Sequence, residues 1–187
     1  MRRSILAAVL TAAAGVAGAA DTYVLDPDHT FPNFAIDHLG FSTIYGRFGK
    51  TEGTLVVDRE GGSSAVEVIV DTASIDTGHE KRDEHLRSPD FFNVVEFPEM
   101  AYKSSKVTFN GDSQATVEGE LTLMGQSKPL TLEVTRIHCG PHPFNQKEMC
   151  GFDARATLKR SDFGISFGLP AVGDEITLLI GAEGEKQ

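Results

Sequence analysis

The chain of 187 residues has a formal net charge of −10 and contains 12 Phe, no Trp and two Cys. So acidic a surface repels phosphate backbones, which argues against nucleic acid as a partner. Behind the leader described next there is about one domain's length of chain, and Gly far outnumbers Pro, a balance that suits a turn-rich sheet around one core.

The opening MRRSILAAVLTAAAGVAGAA combines two arginines, an apolar run from Ile5 to Val16 and the small triplet Ala17-Gly18-Ala19. It reads as a secretory signal peptide over residues 1–19, cleaved near Ala19, and losing Arg2 and Arg3 takes the net charge from −10 to −12. The run is shorter than the roughly 20 residues of a membrane span, and nothing later in the chain replaces it. Residues 20–187 are therefore expected to form one exported, periplasmic domain that is not an integral membrane protein.

From Tyr23 onward apolar and polar residues alternate with period two, as in antiparallel strands. Strands are predicted over 22–26, 33–38, 46–58, 66–71, 100–107 and 175–183. Three more are carried by ATVEGELTLMG, KPLTLEVTRI and GFDARATLKR. In the first, Val117, Gly119, Leu121 and Leu123 share the dry face. In the second, Leu130, Leu132, Val134 and Arg136 oppose Thr131, Glu133, Thr135 and Ile137; in the third, Phe152, Ala154, Ala156 and Leu158 share one side. The long segment 46–58 holds Gly46, Gly49 and Gly53, where a strand can turn a corner. An open sheet of this size has aggregation-prone edges, which favours an all-β, up-and-down antiparallel barrel of about eight strands over a sandwich. Small residues on dry faces (Gly119, Ala154, Ala156, Ala35) either leave room for a ligand or are filled by larger neighbours, and alternation alone leaves both open.

One stretch breaks the pattern: HEKRDEHLRSPDFFNVVEFP, residues 79–98. Thr77 and Glu80 fit a capping box, and Pro89 ends a helix near Arg87 or Ser88. With Leu86 as its one large apolar side chain, so short a helix covers an opening rather than filling a core. Ser88-Pro89-Asp90 reads as a second helix start that turns Phe91 and Phe92 inward. Arg82, His85 and Arg87 either hold the polar end of a ligand, or Arg82, Asp83 and Arg87 form salt bridges that pin the lid. His79 and Asp83 lie one turn apart, but His85 is off their face, and no metal is expected there. Further on, Cys139 and Cys150 flank GPHPFNQKEM, and a disulfide closing this hairpin is expected in an oxidising compartment; His138 and His142 would join a metal site only with free thiolates.

Catalytic signatures are missing: the chain has no GxSxG, no HExxH, no phosphate loop and no GxGxxG. The blocks NFAIDHLGFSTIYGRF, IDTGHEKRDEHLRSPDFFN, EGELTLMGQSKPLTLEV and KRSDFGI, in this order behind the leader junction, closely resemble the YceI family of secreted polyisoprenoid-binding proteins across essentially all of residues 20–187. The resemblance implies a lipocalin-like barrel with a helix across one mouth and a long pore for an isoprenoid chain with a polar or quinone-like head. Its markers here are His38-Leu39-Gly40, the helix motif Arg82-Asp83 with His85-Leu86-Arg87-Ser88, and Asp162-Phe163-Gly164. The cysteine hairpin is a departure from that pattern.

Together these readings give a noncatalytic carrier or store for a long-chain isoprenoid lipid of prenyl phosphate, phenol or quinone type, with no cofactor beyond that lipid. The expected lining is Phe34, Ile36, Phe48, Leu121, Leu132, Phe152 and Leu178, with Phe91 and Phe92 at the mouth and Tyr45, Arg82, His85 and Arg87 as head-group or lid residues. Two alternatives stand beside this reading. One is an envelope interaction or stress protein using the barrel as a scaffold; the other is an isoprenoid-lipid enzyme built on His38, His85 and Asp83. Whether the barrel forms a homodimer is left open by the sequence.

Overall fold

Alternation along the chain produces eleven strands and one α-helix among residues 20–187, the part that the computed structural model describes; the signal-peptide reading of residues 1–19 lies outside the described residues. In chain order they are β1 (Asp21–Leu25), β2 (Phe31–His38), β3 (Ser42–Phe48), β4 (Thr51–Val57), β5 (Ala65–Asp71), β6 (Ile75–Asp76), α1 (Glu80–Arg87), β7 (Glu99–Phe109), β8 (Ala115–Leu123), β9 (Gln126–Pro141), β10 (Glu148–Lys159) and β11 (Val172–Lys186).

All pairings are antiparallel, and the ring β1-β4-β5-β7-β8-β9-β10-β11 closes on itself through β1–β11. The stretch of β11 from Val172 to Gly181 pairs with β2, and its last residues pair with β1. Likewise β3 joins β2 to β6 while β4 joins β1 to β5. The segments β1/β2, β3/β4 and β5/β6 are thus three broken staves in a closed eight-stave up-and-down barrel, which leaves no long free edge. The break between β3 and β4 falls at Gly49-Lys50, where the Gly49 N–H donates to Ser74 O (3.1 Å) and the Asp71 N–H to Lys50 O (3.1 Å). At Gly46 the missing Cβ makes room for the Phe34 ring.

Two β-bulges reset which residues face inward. On β9 the register shifts between Val134 and Arg136, so Ile137 turns into the core at 8% exposure while Arg136 points out toward Asp153 (3.8 Å). Strict alternation placed these two residues on the opposite faces; the extra residue inverts the parity beyond it. On β7 a bulge between Ser104 and Lys106 does the same, aligning Val107 and Phe109 with Met100 and Tyr102 on the inner side.

One end of the barrel carries α1, the β2–β3 and β8–β9 turns and the β10–β11 connection; the other carries the start of β1, the end of β11, the 58–64 and 110–114 turns and the Cys139–Cys150 hairpin. The helix does not begin at the expected capping box. Its N-cap is His79, whose Nδ1 accepts from the Arg82 N–H (3.3 Å), because Gly78 adopts a left-handed turn (φ +74°) and the Thr77 hydroxyl is already bonded to Asp83. Ser88 ends the helix; the segment after it is not a second helix but a turn, in which the Phe91 and Asn93 N–H groups both donate to Ser88 O.

Candidate functional site

The inner faces of the staves do not fill the barrel. They enclose a cavity of about 480 Å³ whose wall is almost wholly apolar and runs from Ile36, His85 and Phe167 at the lid end to Val57, Phe109 and Ile137 near the other. This volume lies within the roughly 300–1,000 Å³ of sites that enclose a small organic molecule. Room is left where inward positions carry short side chains, as at Ala115, Ala154 and Ala182. Three of the small residues expected to leave space do not. Gly119 is covered by Tyr102, whose Oη lies 2.5 Å from where a Cβ would sit; Ala35 alternates outward between Phe34 and Ile36; and Ala156 is buried outside the wall.

Phe34, Ile36, Phe48, Leu121, Leu132, Phe152, Leu178, Phe91 and Phe92 all stand on the cavity wall. Arg82 and His85 also reach it, whereas Tyr45 lies on the outer surface at 64% exposure and Arg87 is held away by the carbonyls of Ala73 (3.0 Å) and Ile75 (3.3 Å). Wall residues outside the predicted set include Leu25, Met100, Tyr102, Phe109, Ile137 and Phe167. Phe109 and Ile137 follow bulges, and Phe167 sits in the irregular β10–β11 connection, so period-two counting does not reach any of the three.

Two aromatic groups shape the lid end. Beneath the helix, Phe48 packs tilted on Phe34 (5.9 Å between centroids) and edge-on to Phe92 (5.5 Å), with Leu86 closing the cluster. At the rim, His85 meets Phe91 and Phe167 (both 5.0 Å), and Phe91 lies 5.4 Å from Phe167, so the lid touches the β10–β11 connection across the mouth. His85 Nε2 is 2.8 Å from Asp90 Oδ2.

The lid is pinned by hydrogen bonds rather than by the salt bridges expected from its charges. Buried Asp83 accepts from the Thr77 N–H (3.0 Å) and hydroxyl (2.5 Å), and Arg82 donates through Nε to Thr77 Oγ1 (2.7 Å) and through Nη2 to Thr77 O (2.8 Å). Below the rim, Arg160 is only 4% exposed, and its guanidinium donates to the carbonyls of Gly173, Ile165, Phe167 and Val172 at 2.8–3.1 Å. Desolvation lowers its pKa from the ordinary guanidinium value, against the opposing pull of the Asp174 carboxylate. Midway down, Tyr102 shares its hydroxyl proton between Val117 O (3.0 Å) and Leu130 O (3.1 Å), and burial pushes its pKa up to about 12.

The polar groups on the wall whose bonds are described above are thus engaged by the protein itself. Among the described residues no cluster of three or more His, Cys, Asp or Glu could hold a metal, and no helix is long and apolar enough to cross a membrane. His85 pairs with Asp90 and Asp83 with Thr77, so the grouping of His38, His85 and Asp83 as a catalytic set is not assembled by hydrogen bonds. Cys139 and Cys150 form the disulfide, directly opposite each other on β9 and β10.

Residues 23–183 match the model of the YceI-like domain. Protein YceI of Escherichia coli O157:H7 is 40% identical over 193 aligned positions covering 100% of both chains. Among solved structures, Burkholderia cenocepacia BcnA superposes with a TM-score of 0.71 over 82% of this chain and 95% of its own, at 22% identity. A domain from Saccharophagus degradans described as polyisoprenoid-binding superposes with a TM-score of 0.64 over 88% and 98%, at 16% identity. A family match over nearly all the described residues, joined to the closed barrel and its lidded apolar cavity, places this chain in the YceI-like domain family.

Proposed function

We propose that the protein binds a long-chain isoprenoid lipid in the barrel cavity and carries or stores it in the periplasm. The observation that bears this reading is the apolar cavity itself, about 480 Å³ and reaching from the lid nearly to the far turns. Vacant apolar volume inside a barrel costs packing, and an occupant restores it. Each isoprene unit transferred from water into such a wall is worth roughly 3–4 kcal/mol at about 0.8 kcal/mol per methylene, so a few units supply the affinity without a strong grip on the head. That agrees with a lid whose Arg82 and Asp83 are spent on Thr77. The polyisoprenoid-binding description of the Saccharophagus degradans domain supports the ligand class, and the leader-like residues 1–19 support export.

The test is solvent extraction of protein purified from the periplasm, followed by mass spectrometry. A prenyl compound should be released, and the emptied protein should take up added prenols; protein that releases none and takes up none would sink the reading. N-terminal sequencing of the same material should begin at Ala20.

A further inference from the structure

The cavity has a lid at one end, and at the other the chain builds a base whose parts none of the lid-end residues explain. Its outer turns are joined by Arg59. This exposed side chain on the 58–64 turn reaches across to the 110–114 turn, donating to the carbonyls of Gly111 (3.3 Å) and Asp112 (2.8 Å). The guanidinium then lies over the Phe109 ring, 4.4 Å from its centroid, a cation–π contact. Phe109 is a wall residue turned inward by the β7 bulge. Phe109 therefore borders the cavity and, through its ring, also meets Arg59.

The turn that presents Arg59 is itself set. The Asp58 carboxylate accepts from the Gly61 N–H (2.6 Å) and from the Ser63 N–H (3.3 Å) and hydroxyl (2.5 Å), and these bonds, the Ser63 hydroxyl first, lower its pKa. Across the barrel, Tyr23 (5% exposed) and Cys150 (0%) share the inner side with wall residues Leu25 and Phe152 but stand one step beyond them, outside the lining. The disulfide thus reaches the barrel's inner face at its base rather than only stapling an outlying loop.

We infer that this base is a length stop: Phe109 backed by Arg59 on one side, and Tyr23 with the Cys150 half-cystine on the other, set the longest tail that can lie extended in the cavity. From Leu123 to Ala115 the β8 wall spans about 26 Å of strand, or about 20 Å along the axis at the usual tilt of barrel strands. A tail longer than this path meets aromatic and sulfur atoms at the base, and its further units must stay at the lid end in water or double back against a full wall. The inference rests on the carrier reading above and assigns its size selectivity to particular residues.

Binding of a series of prenols of increasing length (farnesol, geranylgeraniol, solanesol and their intermediates), measured by displacement of a fluorescent apolar probe, tests it. For the parent protein, affinity should rise with each unit and then level off. In Phe109→Ala the levelling point should move to a longer prenol. The first prenol past the parent's limit should bind at least about tenfold tighter than to the parent, because one more unit is taken out of water. Shorter prenols should bind Arg59→Ala as tightly as the parent. Arg59→Ala, an exposed substitution that leaves the core intact, should move the limit in the same direction and decides the matter where Phe109→Ala does not fold. An unchanged levelling point in the folded variants overturns the length stop while leaving the carrier reading standing; a parent protein that binds no prenol of any length removes both.

Discussion

Arg160 shows how a charge can be buried in this barrel without a direct ion pair. Four carbonyls take its N–H groups, and those carbonyls belong to the connection that bears Phe167 and to the start of β11. A lysine keeps the charge but lacks the planar fork, so Arg160→Lys should leave several carbonyls unpaired and cost about 2–3 kcal/mol in urea unfolding. A cost within about 0.5 kcal/mol would contradict that account. Tyr102 makes a pH prediction. Unfolded, it ionises near its ordinary value of 10, whereas folded it holds its proton to about 12. Between these values the unfolded chain binds fewer protons than the native one, so stability should fall as pH rises through this window and be indifferent to Tyr102 below it. Phenolate absorbance followed beside the unfolding curve checks this: Tyr102 should ionise only at about pH 12 or on unfolding, and Tyr102→Phe should flatten the alkaline loss.

At the scale of the element, the lid depends on one carboxylate. Asp83→Ala leaves the Thr77 N–H and hydroxyl without their acceptor and frees Arg82's main anchor to move, a loss of about 2 kcal/mol or roughly 4–8 °C in melting temperature. Melting curves of the two proteins suffice, and equal midpoints would show that Thr77 finds another partner. The helix also shows where the sequence is and is not legible. Pro89 marks its end correctly because the proline ring disfavours helical geometry in the preceding residue, and Ser88 is extended there. Thr77 misleads as a cap because its hydroxyl is bonded to the Asp83 carboxylate on the helix, a pairing that the capping-box spacing does not reveal. The strands behave alike. The seven strand residues expected on the wall lie there because alternation holds within each unbroken run, whereas Ile137 and Phe109 sit past bulges that carry no signal in a single sequence.

Taken whole, the molecule is a tube with a lid, a base and a cross-link at the base. With the bonded cysteines separated by 11 residues, the chain-entropy model gives the Cys139–Cys150 bond roughly 3 kcal/mol of stability, about 6–12 °C for a domain of this size. The paired substitution of both cysteines by serine should show that fall under oxidising conditions, and addition of reductant should then change nothing further; an unaltered midpoint would mean that the pairing of β9 with β10 already supplies the restraint. The closed ring was legible in the number of alternating strands, because an open sheet of that size bears aggregation-prone edges, while the cavity inside it was not, since it depends on which large side chains lean over which small ones. One feature of the ring has a mechanical effect. Its three broken staves are neighbours, β1/β2, β3/β4 and β5/β6, and the five uninterrupted ones stand together opposite them. Unbroken ladders make that far side a stiff gutter, whereas the interrupted side is a jointed panel whose short ladders open at lower free energy, so the ladder amides of β1–β6 should exchange faster than those of β7–β11. A tube hinged along one flank can widen for a bulkier guest without parting its remaining seams.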